Sequence, residues 1–303
     1  MVDQAQSPTQ FHVSFRDGTS TELKVFLAPE EGAPVILCLP AMGVSAGYYE
    51  VLADAFAENG LTAVLADLRG TGSSSVRASR RVSFGYAQIL ELELPAIAEA
   101  ICLKLGVEQI ILFGHSLGGQ LALLFSATSH RVSGTVAIAC GTAWYRRMPG
   151  SRSIGRFLGL QLMFGTTLLW GYLPTWFPFA GREARGIMVD WGFEAMTGRY
   201  RIARSAVNYE TRLAVSHTPA LVIAFPDDPL VPPACTDHLA SKLNNAIVSR
   251  LEIAPELLAL KKTHHFRWVF RPRAVVAAVS QWIGQPADQQ QLEESDDRAT
   301  RAT

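Results

Sequence analysis

The heptapeptide FGHSLGG at residues 113–119 is the stretch of this sequence best suited to chemistry. Gly114, Ser116 and Gly118 satisfy G-x-S-x-G, directly after the apolar run QIILFG (109–114) and directly before a helix-patterned run, SLGGQLALLFSA. Small flanks are required because a serine on so tight a turn leaves no space for Cβ atoms at 114 or 118. The turn also sets the hydroxyl at a helix N-terminus, where the dipole favours developing negative charge. A serine hydroxyl is a poor nucleophile until a base accepts its proton. KKTHHFRW (261–268) supplies two adjacent candidates, His264 and His265, and the residues alone do not choose between them. His115, inside the motif, is read as a supporting residue because its side chain points elsewhere on the turn.

The elements that must position these groups follow from hydropathy patterning. FHVSF and TELKVFL flank Arg16-Asp17-Gly18 and predict a β-hairpin. PVILCLP (34–40), LTAVLAD (61–67), QIILFG (109–114), VSGTVAIAC (132–140) and PALVIAF (219–225) are short continuous apolar runs, as expected for strands buried on both faces. Helices are predicted over about 46–59, ending at Asn59-Gly60, over about 86–105 with a kink at Pro95, and near 234–243 and 273–284, with a further strand near 247–253. Strands alternating with helices imply right-handed crossovers and a mainly parallel sheet, with the first hairpin as an antiparallel edge. The rhythm lapses for about seventy residues before 219.

Around these motifs the chain resembles the α/β-hydrolase superfamily over about residues 11–284, and is most similar to its serine-aminopeptidase-like and monoglyceride-lipase-like predicted hydrolases. The resemblance implies a mostly parallel central sheet flanked by helices, a helical lid inserted after the sixth strand, and a triad in the order serine, acid, histidine. Pro226-Asp227-Asp228-Pro229-Leu230-Val231-Pro232 is similar to the family's D-x-[IL]-V-P loop, which places the acid at Asp228 and leaves Asp227 one step out of register. The last family motif aligns His265 as the histidine and puts His264 where glycine is usual. The oxyanion donors are then the N–H of Leu117, after the nucleophile, and the N–H of Met42 in Leu39-Pro40-Ala41-Met42-Gly43, where Pro40-Ala41 replaces the His-Gly of many relatives. Asp67-Leu68-Arg69-Gly70-Thr71-Gly72-Ser73 resembles the family's D-x-R-G-x-G-x-S loop. It lacks the lysine and spacing of a phosphate-binding loop and reads as structural, with Arg69 tying loops together beneath the site.

Residues 144–214 are the expected lid, between core segments 11–143 and 215–284. The segment holds Trp144, Tyr145, Trp170 and Trp176 as candidate substrate-lining aromatics, and ten arginines against four acids, a nominal +6. From 157 to 181 no residue is charged, but Pro174, Pro178 and several glycines interrupt the run. That predicts a greasy lid or membrane-touching surface rather than a span. Residues 1–10 and 285–303 read as flexible polar tails, the second acidic.

Composition bounds the rest. The chain of 303 residues is 49% hydrophobic and 18% charged, enough for a sizeable core. Its Lys+Arg and Asp+Glu totals balance at 27 each, which excludes a global field recruiting nucleic acid or an anionic membrane. Four scattered cysteines without CxxC spacing read as buried thiols of a reducing cytoplasm, and no metal or organic cofactor is implied. The expectation is a serine hydrolase acting through an acyl-enzyme on a small-molecule or lipid-like ester with an apolar acyl group, with peripheral membrane contact through the lid. Acyl transfer, amide or peptide hydrolysis, and a non-catalytic binding protein on the same scaffold are the competing readings. An aspartate at position 116 would have suggested epoxide or haloalkane chemistry; serine argues against both. Oligomeric state and acyl length are not encoded in any motif.

Overall fold

The computed structural model describes residues 8–285, so most of both predicted tails lies outside the described residues. The chain begins with the expected hairpin, β1 (Thr9–Ser14) and β2 (Ser20–Phe26), closed by Asp17, whose Oδ1 accepts the Thr19 amide. Then follow β3 (Val35–Leu39), α1 (Glu50–Glu58) and β4 (Thr62–Ala66). Next come α2 (Tyr86–Gln88), a π-helical turn over Ile89–Glu93, and α3 (Leu94–Leu105). β5 (Ile110–His115), α4 (Leu117–Ser126) and β6 (Val132–Ile138) complete the first half. Between β6 and the next sheet strand lie α5 (Arg152–Trp170), the short pair β7 (Tyr172–Leu173) and β8 (Glu183–Ala184), α6 (Arg185–Thr197) and α7 (Tyr209–Val215). The chain rejoins the sheet at β9 (Ala220–Ala224) and continues through α8 (Pro233–Ala240), β10 (Val248–Glu252) and α9 (Arg273–Gly284).

Eight strands form one sheet in the order β1-β2-β4-β3-β5-β6-β9-β10. The pairings β1–β2 and β2–β4 are antiparallel and all others in this sheet are parallel. β3, β4, β5 and β9 are buried at every position, which explains their unbroken apolar runs. Alternate side chains divide between two cores. Leu37 and Leu39 face α3 and α4, whereas Ile36 and Cys38 face α1 and α9. All four cysteines are buried and free.

Two departures from the sequence reading have local causes. The predicted helix at 46–59 opens as a 3-10 turn (Ala46–Tyr49) before α1 begins. The predicted kink at Pro95 is resolved by a π turn that ends just before it, so the proline lies in the first turn of α3, where its missing N–H breaks no helical bond. α5 is the one segment with the length to raise a membrane question, yet it stops at Gly171, in the left-handed region at φ 82°, before Pro174. Among the described residues no helix is long and apolar enough to cross a membrane.

Candidate active site

Ser116 lies between β5 and α4 with φ 54° and ψ −115°, a strained conformation for a residue with a Cβ. The two flanking glycines are enforced by contact. A Cβ at 114 would lie 2.3 Å from the Gly118 carbonyl oxygen, and one at 118 would lie 2.2 Å from that of Leu39. The turn therefore packs the end of β3 against the start of α4. Leu117 is the first residue of α4, so its N–H has no acceptor within the helix. On the facing loop the Ala41 amide donates to the Tyr49 hydroxyl at 3.0 Å, and Met42 is the next amide along.

The loop after β9 carries the two aspartates to different fates. Asp227 is exposed, while Asp228 is buried. Asp228 Oδ1 accepts the amides of Leu230 (2.8 Å) and Val231 (3.1 Å), and Oδ2 pairs with His265 Nδ1 at 2.7 Å. The two histidines diverge similarly. His265 is buried and its carbonyl accepts the indole N–H of fully buried Trp268 at 3.0 Å. His264 is exposed and accepts only the Phe266 amide at 3.3 Å. With Nδ1 committed to Asp228, the nitrogen of His265 left for proton transfer is Nε2.

Ser116, Leu117, Met42 and His265 line one cavity of about 390 Å³. The segment between β6 and β9 supplies much of its other wall, including Arg156, Leu160, Met163, Phe177, Phe179 and Trp191. The four aromatics singled out from sequence do not line it. Trp144 stacks on His238 (4.8 Å between centroids), Tyr145 meets Phe157 (5.3 Å), and Trp170 meets Trp176 edge-on (5.3 Å). Tryptophan content alone did not reveal which ones face inward. The signal that could have done so is the 155, 156, 159, 160, 162, 163 periodicity on α5, one face of the helix lining the cavity.

His115 is the support behind His265. It is fully buried, its ring 4.9 Å from that of His265, and its Nδ1 shares a 2.7 Å hydrogen bond with the Tyr49 hydroxyl. Burial pushes its pKa well below the ordinary imidazole value and a charge on His265 pushes it further; the His265 backbone carbonyl acts the other way. That carbonyl lies outside hydrogen-bond geometry, so Nε2 of His115 has no partner and burial decides: the ring is neutral. Beneath the site, Asp67 accepts the amides of Ala46 and Ser73, each at 2.7 Å. Arg69 binds Glu93 at 2.7 Å and also bonds Asp17. A Cβ at Gly72 would strike the Asp67 carboxylate, so this loop is fully occupied with its own contacts.

Residues 34–151 match the family model described as the α/β hydrolase fold. The chain is 29% identical over 245 residues to the "Putative carbamate hydrolase RutD" of Cronobacter turicensis, covering 77% of this chain and 86% of that protein. It is 34% identical to the "Proline iminopeptidase" of Lactobacillus delbrueckii subsp. lactis over 93 residues, 31% of this chain and 30% of that one. A thermophilic esterase from Thermogutta terrifontis superposes with a TM-score of 0.59 at 15% identity, over 91% of this chain and 98% of that one. The structural likeness establishes the fold, and the residues above establish which groups it brings together.

Proposed function

We propose that this chain, which matches the α/β hydrolase fold model over residues 34–151, is a serine hydrolase with Ser116 as nucleophile, His265 as base and Asp228 as the acid that orients it. The observation that carries this reading is the buried 2.7 Å pairing of Asp228 with His265, on the same cavity as a serine held in a strained turn. Ser116 Oγ attacks the substrate carbonyl carbon as His265 Nε2 takes its proton, and Asp228 stabilises the imidazolium. The amides of Leu117 and Met42 receive the oxyanion. Its collapse expels the leaving group, which takes the proton back from His265, and leaves an acyl-serine. Water, deprotonated by the same nitrogen, then releases the acid.

The cavity wall is mainly apolar, which supports an ester with an apolar acyl portion. The segment 144–214 acts as its lid, and the exposed leucines of α5 form a face for peripheral membrane contact. A second reading, cleavage of a C–N acyl bond, is favoured by the carbamate and iminopeptidase names of two relatives.

The test is labelling with a fluorophosphonate probe followed by turnover of esters of increasing acyl length. Labelling of the wild type, its loss in Ser116→Ala, and a far larger loss of turnover in His265→Ala than in His264→Ala are expected. An unlabelled, folded wild type would leave a binding protein on a hydrolase scaffold.

A further inference from the structure

Arg156 sets a cation in the wall of an otherwise mainly apolar cavity, and the protein gives it no counter-ion. Its Nη2 donates to the Leu230 carbonyl at 2.7 Å and lies 3.4 Å from Met148 Sδ. Its Nε and Nη1 form no hydrogen bond among the described residues, and no carboxylate there pairs with it. Glu194 and Asp228 both attract it at a distance, while Arg152 repels it. Neither acid neutralises it. Glu194 has a carboxyl that burial pushes up to about 8, so it is mainly protonated at neutral pH, and both oxygens of Asp228 are already engaged by His265 and two amides.

Desolvation lowers the Arg156 pKa, and the attraction of Cys235, Glu194 and Asp228 offsets it only in part. Its one hydrogen bond to a backbone oxygen ties α5 to the loop of Asp228, and that tie does not use Nε or Nη1. The space beside Arg156 is open: a Cβ at Gly155 or at Gly159, which flank it on the cavity-lining face of α5, would meet nothing within 4 Å.

We infer that the substrate is an ester bearing a carboxylate remote from its scissile carbonyl, which Arg156 binds through the donors it leaves free while the intervening chain lies along the apolar wall. The inference deepens the hydrolase reading and rests on it. A planar guanidinium suits this place better than an ammonium would, because it can keep its bond to the Leu230 carbonyl through Nη2 while other N–H donors remain for a carboxylate.

The test compares kcat/KM for monomethyl adipate with that for the ester in which an isopropyl group replaces its carboxylate. The comparison is repeated with half-esters from glutarate to suberate. A second arm moves the carboxylate to the alcohol side, with δ-acetoxyvalerate against its isopropyl isostere. The wild type is expected to favour the anionic member of at least one pair by about 10- to 100-fold, the scale of a charge-assisted hydrogen bond, and to lose part of that preference in high salt. Arg156→Met should bring the ratio to about 1 or below, and Arg156→Lys should restore part of it; fluorophosphonate labelling of Ser116 reports that each variant keeps its site.

A wild-type ratio at or below 1 in every pair, or a preference that survives Arg156→Met, overturns the inference. Cleavage of neutral esters alongside either result leaves the hydrolase reading standing. Turnover persisting undiminished in Ser116→Ala overturns the hydrolase reading itself.

Discussion

Tyr49 illustrates how much of the site rests on residues that touch no substrate. Its hydroxyl accepts the Ala41 amide and shares a proton with His115 Nδ1, so one buried oxygen joins the loop of Met42 to the ring behind His265. Tyr49→Phe leaves an amide and an imidazole nitrogen buried without partners, and each such loss costs about 1–3 kcal/mol. The expected outcome is a lower urea midpoint and a fall in kcat of roughly tenfold or more with KM little changed, since the change displaces the Met42 amide proposed to bind the oxyanion rather than the pocket. At Asp228 the expectation is sharper. Asp228→Asn keeps the shape but favours the wrong imidazole tautomer, and kcat should drop on the order of 10⁴-fold with folding retained. Legibility differs among these residues for a physical reason. Ser116 sits in a local motif whose spacing is set by contacts within a few residues, so it could be read directly. Asp228 and His265 were reached through chain order in a family. His115 was read as a supporting residue from its place in the same motif, whereas Tyr49 and Arg156 make their contacts between distant segments, which spacing does not record.

At the scale of elements, the junction of β5, α4 and the loop after β3 is held by backbone approaching backbone. Gly118→Ala would drive a methyl into the Leu39 and Pro40 carbonyls, neither of which is a flexible side chain that could swing away. Destabilisation of about 1–3 kcal/mol or more is expected by chemical denaturation, with activity lost alongside. The segment between β6 and β9 is fastened differently, by buried carboxylates that accept backbone amides. Asp190 takes those of Tyr86 and Ala203, Glu194 that of Ala143, and Glu183 that of Gly43. Burial pushes the Glu183 and Glu194 carboxyls up to about 8 from an ordinary 4.5. Between those values the folded chain holds protons that the unfolded chain has released, so both groups make stability fall as pH rises through that interval. Glu194→Gln should therefore match the parent near pH 5 and exceed it near pH 9 by about 1 kcal/mol or more in urea titrations. Parallel pH curves for the two proteins would refute the assignment. The sequence showed these acids as three charges in a basic segment; the burial that raises their pKa values depends on what packs over them.

Taken whole, the molecule has an apolar surface that its core does not use. Ile154, Leu158 and Leu162 follow one another at helical spacing on α5, with Leu168 and Leu169 beyond them and Trp176 nearby, and each is more than half exposed. The cavity-lining residues of the same helix turn away from Ile154 and Leu158, and Leu162 lies on the boundary, both exposed and at the cavity wall, so the two faces adjoin along the helix. From 144 to 182 there is no acidic residue, while Arg146, Arg147, Arg152, Arg156 and Arg182 are present. An apolar helix face flanked by arginines and tryptophans is the pattern of a segment that rests in the headgroup region of an anionic bilayer. The 303-residue chain is accordingly expected to co-sediment with vesicles containing phosphatidylserine and to be released by salt, each basic side chain near the surface contributing about 1 kcal/mol. Ile154→Glu and Leu158→Glu, placed on the outer stripe, should each weaken that binding about tenfold or more, because a charge replaces buried hydrocarbon. If instead the chain ignores vesicles and self-associates through this face, the same two substitutions would dissolve the oligomer, and sizing with and without lipid separates the two outcomes. Either result identifies what covers the outer side of the helix whose inner side carries Arg156. A membrane would hold that helix against its lipid and bring amphiphilic esters to the cavity mouth, whereas a second copy would close it.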